Sequence, residues 1–521
     1  MAIGLGIEFN LSIENYYHKS IHLSSNINIM KDMAHNEFLK ADFTAIVSDL
    51  HLCEAEPLNP KFPLWKKYKS ADFFFDQAFS DFLFHLEKRA GTDPIELILN
   101  GDIFDFDSIT TIPEHPTFRV TWLEQIRGLY PRPERSKYKI DAIIKDHPIW
   151  FKALSDFVKR GHKLVFVFGN HDLELHYSEV QESIVNALDL KEKEKSRVRF
   201  CEWFYISNKD TLIEHGNQYD PYCICEDPVH PFIRGYNFKS IRLPFGNLAC
   251  RYILNGMGFF NPHVDSNYIM SLGEYVAFFI KYIWRAQPLL IWDWFFGAVV
   301  TLMKGFTEKW NSPIRDPLKI EDKINYIAHK SNAEPRMVRE LKELFVEPAT
   351  NNPFMIAREL WLDRAFLIFI GFFVIFQLML FAQNFFDLPF FWAFIPLFIL
   401  LPFFLFYSKS VVSMVSSYKE PDERILSMAG TITKVNRIVY GHTHKSRHEM
   451  IGAVEHLNSG TWSPAFTDVE CTKMIDSKTF VWIEPGDNNQ RRASLQIFDG
   501  EKSFGSLGKP RKKSSSERKT R

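Results

Sequence analysis

The chain has 521 residues, which suggests three or four domain-sized units or one domain with large insertions. Its 62 basic and 63 acidic side chains give a formal charge of -1, so we expect no nucleic acid as a stable partner. Phenylalanine occurs 50 times, and this aromatic content predicts a large apolar surface in some part of the chain.

The six cysteines form neither a dense disulfide framework nor a paired zinc-binding pattern, which favours a reduced cytosolic setting. The N-terminus lacks a basic stretch followed by an apolar run and a small-residue cleavage site. We therefore expect no secretory signal.

The first part of the chain alternates apolar strands with helical segments. Strands are predicted at 43–47, 95–99 and 163–168, with helical segments at about 71–89 and 141–160. Further strands are predicted at 199–206, 211–214, 437–440, 453–457, 479–483 and 493–498. This alternation predicts an α/β fold, in which sites gather at the carboxyl ends of strands.

A long aromatic and helical segment separates two parts that are predicted to share one sheet. We divide the chain into an N-terminal extension at 1–40, a core in two parts at 41–216 and 436–500, and a helical insertion at 217–435. The segment 501–521 is basic and rich in serine, which predicts a disordered tail.

The insertion contains two uncharged stretches, at 365–386 and 388–408. Each can cross a hydrocarbon core of ~30 Å, and the short polar break between them predicts a transmembrane hairpin at 365–408. A hairpin returns the chain to the same side, as one site built from both core parts requires. Basic residues flank only its outer ends, which predicts a membrane protein whose core faces the cytoplasm: Arg358, Arg364, Lys409, Lys419 and Arg424.

Two other interpretations of this hairpin stay open, a shallow re-entrant hairpin and a wholly buried core. Pro389, Pro396 and Pro402 would bend a second spanning helix, although membrane helices tolerate proline. Another apolar stretch, 275–303, is broken by charged residues and predicts either an interfacial helix with tryptophans at headgroup depth or a cap helix.

Five short motifs rich in aspartate and histidine each follow a predicted strand. Taken singly they are weak signals, but their order and common placement predict one site. They are Asp49-Leu50-His51, Gly101-Asp102-Ile103-Phe104-Asp105, Gly169-Asn170-His171-Asp172, His215-Gly216 and Gly441-His442-Thr443-His444.

This set of side chains suits transition-metal ions. Carboxylates and imidazoles together bind Mn, Fe or Zn. A central carboxylate can bridge two ions ~3.5 to 4 Å apart, and such a pair can hold a phosphoryl group and activate water.

On these five motifs the sequence resembles the calcineurin-like metallophosphoesterase superfamily. The resemblance covers roughly 40–216 and 436–470. It implies a β-sandwich flanked by helices and a metal-dependent phosphoesterase with two divalent ions, with manganese favoured over iron or zinc. The reaction implied is attack of a metal-activated hydroxide on a phosphoester or pyrophosphate bond.

The resemblance also implies roles for individual residues. One ion would be held by Asp49, His51, Asp102 and His444. The second would be held by Asp102, Asn170, His215 and His442. His171 would steady the transition state or protonate the leaving oxygen, with Asp172 orienting it. Asp105 and Asp107 would be structural or lie outside the metal ligands.

The segments Ser48 to Leu52 and Gly101 to Asp105 look like the UDP-2,3-diacylglucosamine diphosphatase branch of this superfamily. That likeness implies a lipid-linked phosphate substrate and contact with membrane lipid. The sequence departs from the branch at His171, where the typical member has arginine, and in the size of its insertion.

Other functions on the same core stay open. A nuclease, a cyclic-nucleotide phosphodiesterase or a protein phosphatase would present a shallow polar groove in place of an apolar cleft. A metal-binding interaction module without turnover is a further alternative, although such members usually lack the histidine found here at His171.

Overall fold

The computed structural model describes residues 38–258 except 226, 228, 236 and 237, then 277, 279–283, 290–310, 317–386, 389–410, 421–500 except 467, 476, 477, 488 and 489, and 505–506 and 511–512. The predicted extension at 1–40 thus lies almost entirely outside the described residues. Tyr275, Trp284 and Arg285 of the apolar stretch at 275–303 and Lys419 beside the hairpin also lie outside them.

Seventeen strands are described. They are β1 Phe43–Val47, β2 Ile95–Asn100, β3 Lys163–Val167, β4 Val198–Cys201, β5 Phe204–Ser207, β6 Thr211–Glu214, β7 Phe232–Gly235, β8 Phe238–Ile241, β9 Arg437–Tyr440, β10 Arg447–Ile451, β11 Val454–Asn458, β12 Ala465–Phe466, β13 Met474–Ile475, β14 Thr479–Pro485, β15 Arg491–Ile497, β16 Gly505–Ser506 and β17 Arg511–Lys512.

Two sheets contain most of these strands. The first has the order β16-β15-β14-β1-β2-β3-β4, and β1 to β4 run parallel to one another. The second has the order β17-β10-β11-β9-β6-β5, with β6, β9 and β11 parallel. Because β1 pairs with β14 and β6 pairs with β9, the two predicted core parts share both sheets, where the sequence predicts one.

The two sheets pack face to face. Ile46, Ile98 and Val165 of the first sheet share one buried apolar cluster with Ile213 and Val439 of the second. Strand residues alternate between the two faces of a sheet, so the neighbouring apolar residues point outward and need a second layer. The result is a β-sandwich with helices on its outer faces, as predicted.

The helices of the first part cover the first sheet. Helix Asp76–Ala90 shows why they pack there, because Phe79, Phe82, Leu83 and Leu86 repeat at helical spacing and are all buried. The α-helices before the insertion are Asp76–Ala90, Trp122–Arg127, Pro133–Asp146, Pro148–Lys159, Ser178–Ala187 and Glu192–Lys195.

The insertion covers the second sheet and continues beyond it. Helices Pro317–Lys330, Pro335–Lys342 and Glu423–Thr433 share an apolar cluster with β9, so these parts of the predicted insertion belong to the core layers. The other described α-helices are Phe245–Ala249, Asn255–Met257, Leu290–Trp310, Pro353–Glu359, Leu362–Gln383 and Phe394–Ser410, with π-helical turns at Cys250–Leu254 and Phe279–Ile283.

Helices Leu362–Gln383 and Phe394–Ser410 pack against each other, and we call them the apolar hairpin. The Tyr407 hydroxyl donates to Asp363 Oδ2 at 2.7 Å, so the beginning of the first helix lies beside the end of the second. Most of the phenylalanine and leucine side chains of both helices are exposed, which contradicts the alternative of a wholly buried core. Among the described residues, one helix, Leu362–Gln383, is long and apolar enough to cross a membrane.

Several predicted elements differ in the structure. The strand predicted at 199–206 is two strands, β4 in the first sheet and β5 in the second. The helix predicted at 141–160 is two helices that meet at His147, because Pro148 cannot continue the hydrogen bonding of the helix before it. β7, β8 and β10 are strands that the sequence analysis does not predict.

The segment 501–521 is described only at β16 and β17, which pair with β15 and β10. Its predicted disorder stays a prediction, as does the division of the chain into domains.

Candidate metal centre

The five motifs meet at one end of the sandwich, where each follows the strand that the sequence predicts. Asp49 and His51 follow β1, Asp102 follows β2, and the motif with Asn170 follows β3. His215 follows β6, and the last motif follows β9. Carboxyl ends of parallel strands in two packed sheets therefore bring all seven predicted ligands together.

The backbone at these strand ends is unusual. Asp49, His51, Asp102, His442 and His444 all have positive φ, between 50° and 67°. Non-glycine residues seldom adopt this left-handed region, and strained positions cluster at functional sites. Five of the seven predicted ligands thus lie on strained backbone at strand ends.

Glycines in the motifs allow the loops to approach one another. A Cβ atom on Gly169 would overlap the carboxylate of Asp102, and one on Gly101 would overlap the ring of His215. Gly101 and Gly169 are thus required by the predicted ligands that lie against them.

One group of donor atoms is formed by Asp49, His51 and His444. His444 Nε2 lies 3.1 Å from Asp49 Oδ1 and 3.2 Å from His51 Nε2. Two ligands of one ion, each ~2.1 Å from it, are about 3.0 to 3.4 Å apart. This group therefore has the spacing of a cation site.

A second group is formed by Asp102, His215 and His442. His215 Nε2 lies 3.1 Å from Asp102 Oδ2, and the same carboxylate oxygen lies 3.9 Å from His51 Nε2 of the first group. Asp102 therefore stands between the two groups.

The remaining predicted ligand, Asn170, also fits a cation site. Its Oδ1 atom is buried and accepts no hydrogen bond from the residues that the structure describes. A buried polar atom of this kind costs free energy unless a partner satisfies it. The donor set of carboxylate, amide oxygen and imidazole is suited to divalent ions.

His171 lies beside these groups. Its Nδ1 atom is 3.3 Å from Asp105 Oδ1, and its backbone N–H donates to Asp102 Oδ1 at 2.8 Å. Asp172 accepts hydrogen bonds from the backbone N–H groups of Gly169 and Ile103, and Asp105 lies against the imidazole of His171. The predicted role of Asp172 in orienting His171 stays a prediction.

Charges within the site shift several pKa values. Burial opposes protonation of His171 and His215, but the Asp102 carboxylate outweighs it and raises their pKa values to about 10 and about 9. Burial alone would raise the pKa of Asp102, but the His215 and His171 charges hold it well below its usual range. A histidine ligand must be neutral, so a bound cation has to displace the His215 proton.

A family model described as calcineurin-like phosphoesterase matches residues 44–234. The chain carries a calcineurin-like phosphoesterase domain. The match includes the motifs after β1, β2, β3 and β6, whereas the last motif lies beyond it and is joined to the others by the structure. No curated protein matches the chain.

The domain is a metal-dependent phosphoesterase, and the grouped aspartates and histidines are consistent with divalent ions. The resemblance to the superfamily is thereby confirmed.

Two further residues that the sequence analysis missed lie against the predicted ligands. Asp220 Oδ2 lies 3.0 Å from His442 Nε2, and Asp220 with Cys223 and His442 forms a further group of donor atoms. The signal for Asp220 in the sequence is a carboxylate five residues after His215, but only the turn Asn217–Tyr219 brings it back to His442.

Asn247 is the second missed residue, and it comes from the insertion. Its side-chain amide is buried and donates to the Asn170 carbonyl at 2.7 Å and to Asp107 Oδ2 at 2.6 Å. A side chain of the predicted insertion therefore contacts the backbone of a predicted ligand directly.

We expect Asp220→Ala to weaken metal binding, because Asp220 fixes one nitrogen of His442. Loss of such a partner typically costs 10–100-fold in metal affinity or activity. The dependence of the hydrolysis rate on Mn²⁺ concentration measures this. Asp227→Ala is the matched control, because that carboxylate bonds Lys342 away from the site. Identical metal dependence in the two variants would show that Asp220 has no such role.

Proposed function

We propose that the chain is a membrane-tethered phosphoesterase that uses two divalent ions to hydrolyse a phosphoester or pyrophosphate bond of a lipid-linked substrate. The observation that carries this proposal is that two groups of donor atoms meet at a single carboxylate, Asp102. A carboxylate between two groups of donor atoms is an arrangement that can bind two metal ions at once.

The proposed ligands follow the two groups. Asp49, His51, Asp102 and His444 would hold one ion. Asp102, Asn170, His215 and His442 would hold the other. We favour manganese because carboxylate and amide oxygens suit this ion, although iron and zinc accept the same ligands. The ions would neutralise charge on the phosphoryl oxygens and acidify the attacking water.

His171 is proposed as the residue that donates a proton to the leaving oxygen. Its Nδ1 atom lies 3.3 Å from Asp105 Oδ1, which fixes the ring beside the two groups of donor atoms. The raised pKa keeps the ring protonated at neutral pH, as a proton donor requires. Asp172 would act on the rate indirectly, through the two loops that it joins.

The apolar hairpin supports the membrane part of the proposal. Helix Leu362–Gln383 has 22 residues and is about 33 Å long, close to the ~30 Å of a hydrocarbon core. Its large apolar side chains are exposed on nearly all sides, including Phe369, Phe373 and Phe381. An apolar surface of this extent is unfavourable in water and suits lipid.

The orientation follows from the ends of the hairpin. Asp363 and Tyr407 are hydrogen-bonded, so the two ends of the hairpin lie together on one side. Arg358 and Arg364 lie at this base, which favours the cytoplasm for the metal centre. A site next to the bilayer surface supports a substrate that is lipid-linked.

A substrate panel tests this function. Protein purified in detergent and supplied with Mn²⁺, Fe²⁺ or Zn²⁺ would be assayed on bis-p-nitrophenyl phosphate, lipid pyrophosphates, nucleic acid, cyclic nucleotides and phosphopeptides. We expect metal-dependent hydrolysis with the lipid pyrophosphates preferred. Preference for nucleic acid, a cyclic nucleotide or a phosphopeptide would contradict the lipid-linked substrate. Absence of hydrolysis with every metal would contradict the enzyme and favour a metal-binding interaction module without turnover.

We expect His171→Ala to keep its metals but to lose rate by ~10²- to 10⁴-fold, since proton donation contributes this much and His171 is not a proposed ligand. The loss should be smaller for nitrophenyl esters, whose leaving groups need no proton, than for alkyl esters. Metal content and both rates are measured beside His85→Ala, a partly exposed histidine on helix Asp76–Ala90. Equal losses for the two ester types would contradict proton donation.

A further inference from the structure

Helix Leu290–Trp310 has an apolar face that points away from the protein. Trp292, Phe295, Val299, Met303 and Phe306 follow one another at spacings of three or four residues and are partly or largely exposed. A helix packed on a soluble domain normally carries polar residues on this outer face.

The inner face of the same helix is also apolar. Ala298 is buried in a cluster with Phe245 and Ile356, and Trp294 and Leu302 pack against that cluster. The helix therefore carries apolar side chains on both its buried side and its exposed side.

Neighbouring helices extend the outer face. Trp122 of helix Trp122–Arg127 is 64% exposed, and its ring meets Phe296 edge-on with 5.8 Å between centroids. Phe354 of helix Pro353–Glu359 is 87% exposed. We call the set Trp122, Trp292, Phe295, Met303 and Phe354 the aromatic face.

The aromatic face is continuous with the apolar hairpin. Helix Pro353–Glu359 packs against helix Leu290–Trp310 and leads through Trp361 directly into Leu362–Gln383. The Arg364 guanidinium stacks on Trp361 at 4.7 Å, which places a cation and an indole ring at this junction. Tryptophan and arginine are typical of the region where hydrocarbon meets water.

Helix Leu290–Trp310 is also connected to the predicted metal ligands, through the segment that carries Asn247. It packs against Phe245–Ala249 and Cys250–Leu254, and Asn247 of that segment donates to Asn170 and Asp107. Asn255 further along donates to the Asp107 carbonyl at 2.6 Å. Any surface that binds the aromatic face is thus held in a fixed position relative to the metal ligands.

We propose that the aromatic face is a second membrane contact, which lies in the headgroup region of the bilayer that contains the hairpin. The inference rests on the proposed function, because it takes the hairpin to be embedded in lipid. Asp293 and Lys304 interrupt the helix and fit a position along the bilayer surface. Two contacts on one bilayer would fix the tilt of the phosphoesterase domain, so that the metal centre faces phosphate groups at the lipid surface.

A bilayer is a better occupant than a second copy of the chain for a geometric reason. The hairpin begins at Leu362, next to the helix that carries Phe354. A bilayer that contains the hairpin therefore lies beside the aromatic face. Tryptophan, which has an apolar ring and a polar N–H group, is enriched in the headgroup region of a bilayer.

The test uses the full chain reconstituted into liposomes of phosphatidylcholine and phosphatidylglycerol. The photoreactive residue benzoylphenylalanine is placed singly at Phe295 on the aromatic face, at Phe373 in the hairpin, or at Phe84. Phe84 is the matched control, because it is 64% exposed on helix Asp76–Ala90 over the first sheet. Unchanged hydrolysis of bis-p-nitrophenyl phosphate shows that each variant is folded.

We expect lipid adducts at Phe295 and Phe373, and at least about tenfold fewer at Phe84. Adducts at Phe373 without adducts at Phe295 would overturn the inference and leave the embedded hairpin intact. A cross-linked dimer from Phe295 would overturn it in favour of a second copy. Equal adducts at all three positions would show unspecific lipid contact, and adducts at none would remove the embedded hairpin and this inference together.

Discussion

The Asp102→Ala variant is expected to lose metal binding and turnover together. Asp102 Oδ2 lies 3.1 Å from His215 Nε2 and 3.9 Å from His51 Nε2, so one carboxylate serves both groups of donor atoms. Its other oxygen accepts the backbone N–H of His171. Removal of one preorganised electrostatic group costs ~10²- to 10³-fold in rate, and loss of a group shared by two ions should exceed this.

Metal content by mass spectrometry and the rate on bis-p-nitrophenyl phosphate test this expectation on the same samples. Asp102→Asn is a useful companion, because it keeps the shape and the acceptor for His171 but removes the negative charge that the cations need. We expect it to bind metal more weakly than wild type. An Asp102→Ala protein that keeps two ions per chain and more than about a tenth of the rate would contradict the ligand assignment.

The sequence predicts the central strands well because β1, β2 and β3 are buried on both faces and are mostly apolar. β10 was missed because its residues, Arg447 to Ile451, are mostly polar and only partly buried. The pattern at 199–206 is apolar on both sides of Glu202, so periodicity cannot show that the chain passes from one sheet to the other there.

The metal ligands could be predicted from the sequence for a different reason. Each directly follows a strand, so a local pattern places it at the shared edge without any knowledge of long-range contacts. Asp220 reaches His442 over a separation of 222 residues, and Asn247 reaches Asn170 from within the insertion. No local pattern carries these contacts, nor the contact of His171 with Asp105, which lies 66 residues away in the chain.

Replacement of residues 365–408 by a short Gly/Ser linker is expected to convert a carbonate-resistant membrane protein into one that carbonate releases. The two ends of the hairpin are joined by the hydrogen bond from Tyr407 to Asp363 at 2.7 Å, so a short linker can connect them without strain on the domain. All proposed ligands lie outside the segment, and we therefore expect the variant to hydrolyse bis-p-nitrophenyl phosphate at close to the wild-type rate.

Fractionation with high salt and then carbonate separates the modes of attachment. Exposed charge contacts are screened by high salt, and an interfacial aromatic face alone yields to carbonate, whereas a spanning hairpin resists both. Removal of the basic residues 509–521 is the control, and that variant should stay in the membrane with wild type. A linker variant that still resists carbonate would assign the anchor to another segment. Wild type in the soluble fraction without detergent would refute the embedded hairpin, while the metal centre, built by strands on either side of the insertion, would keep its assignment.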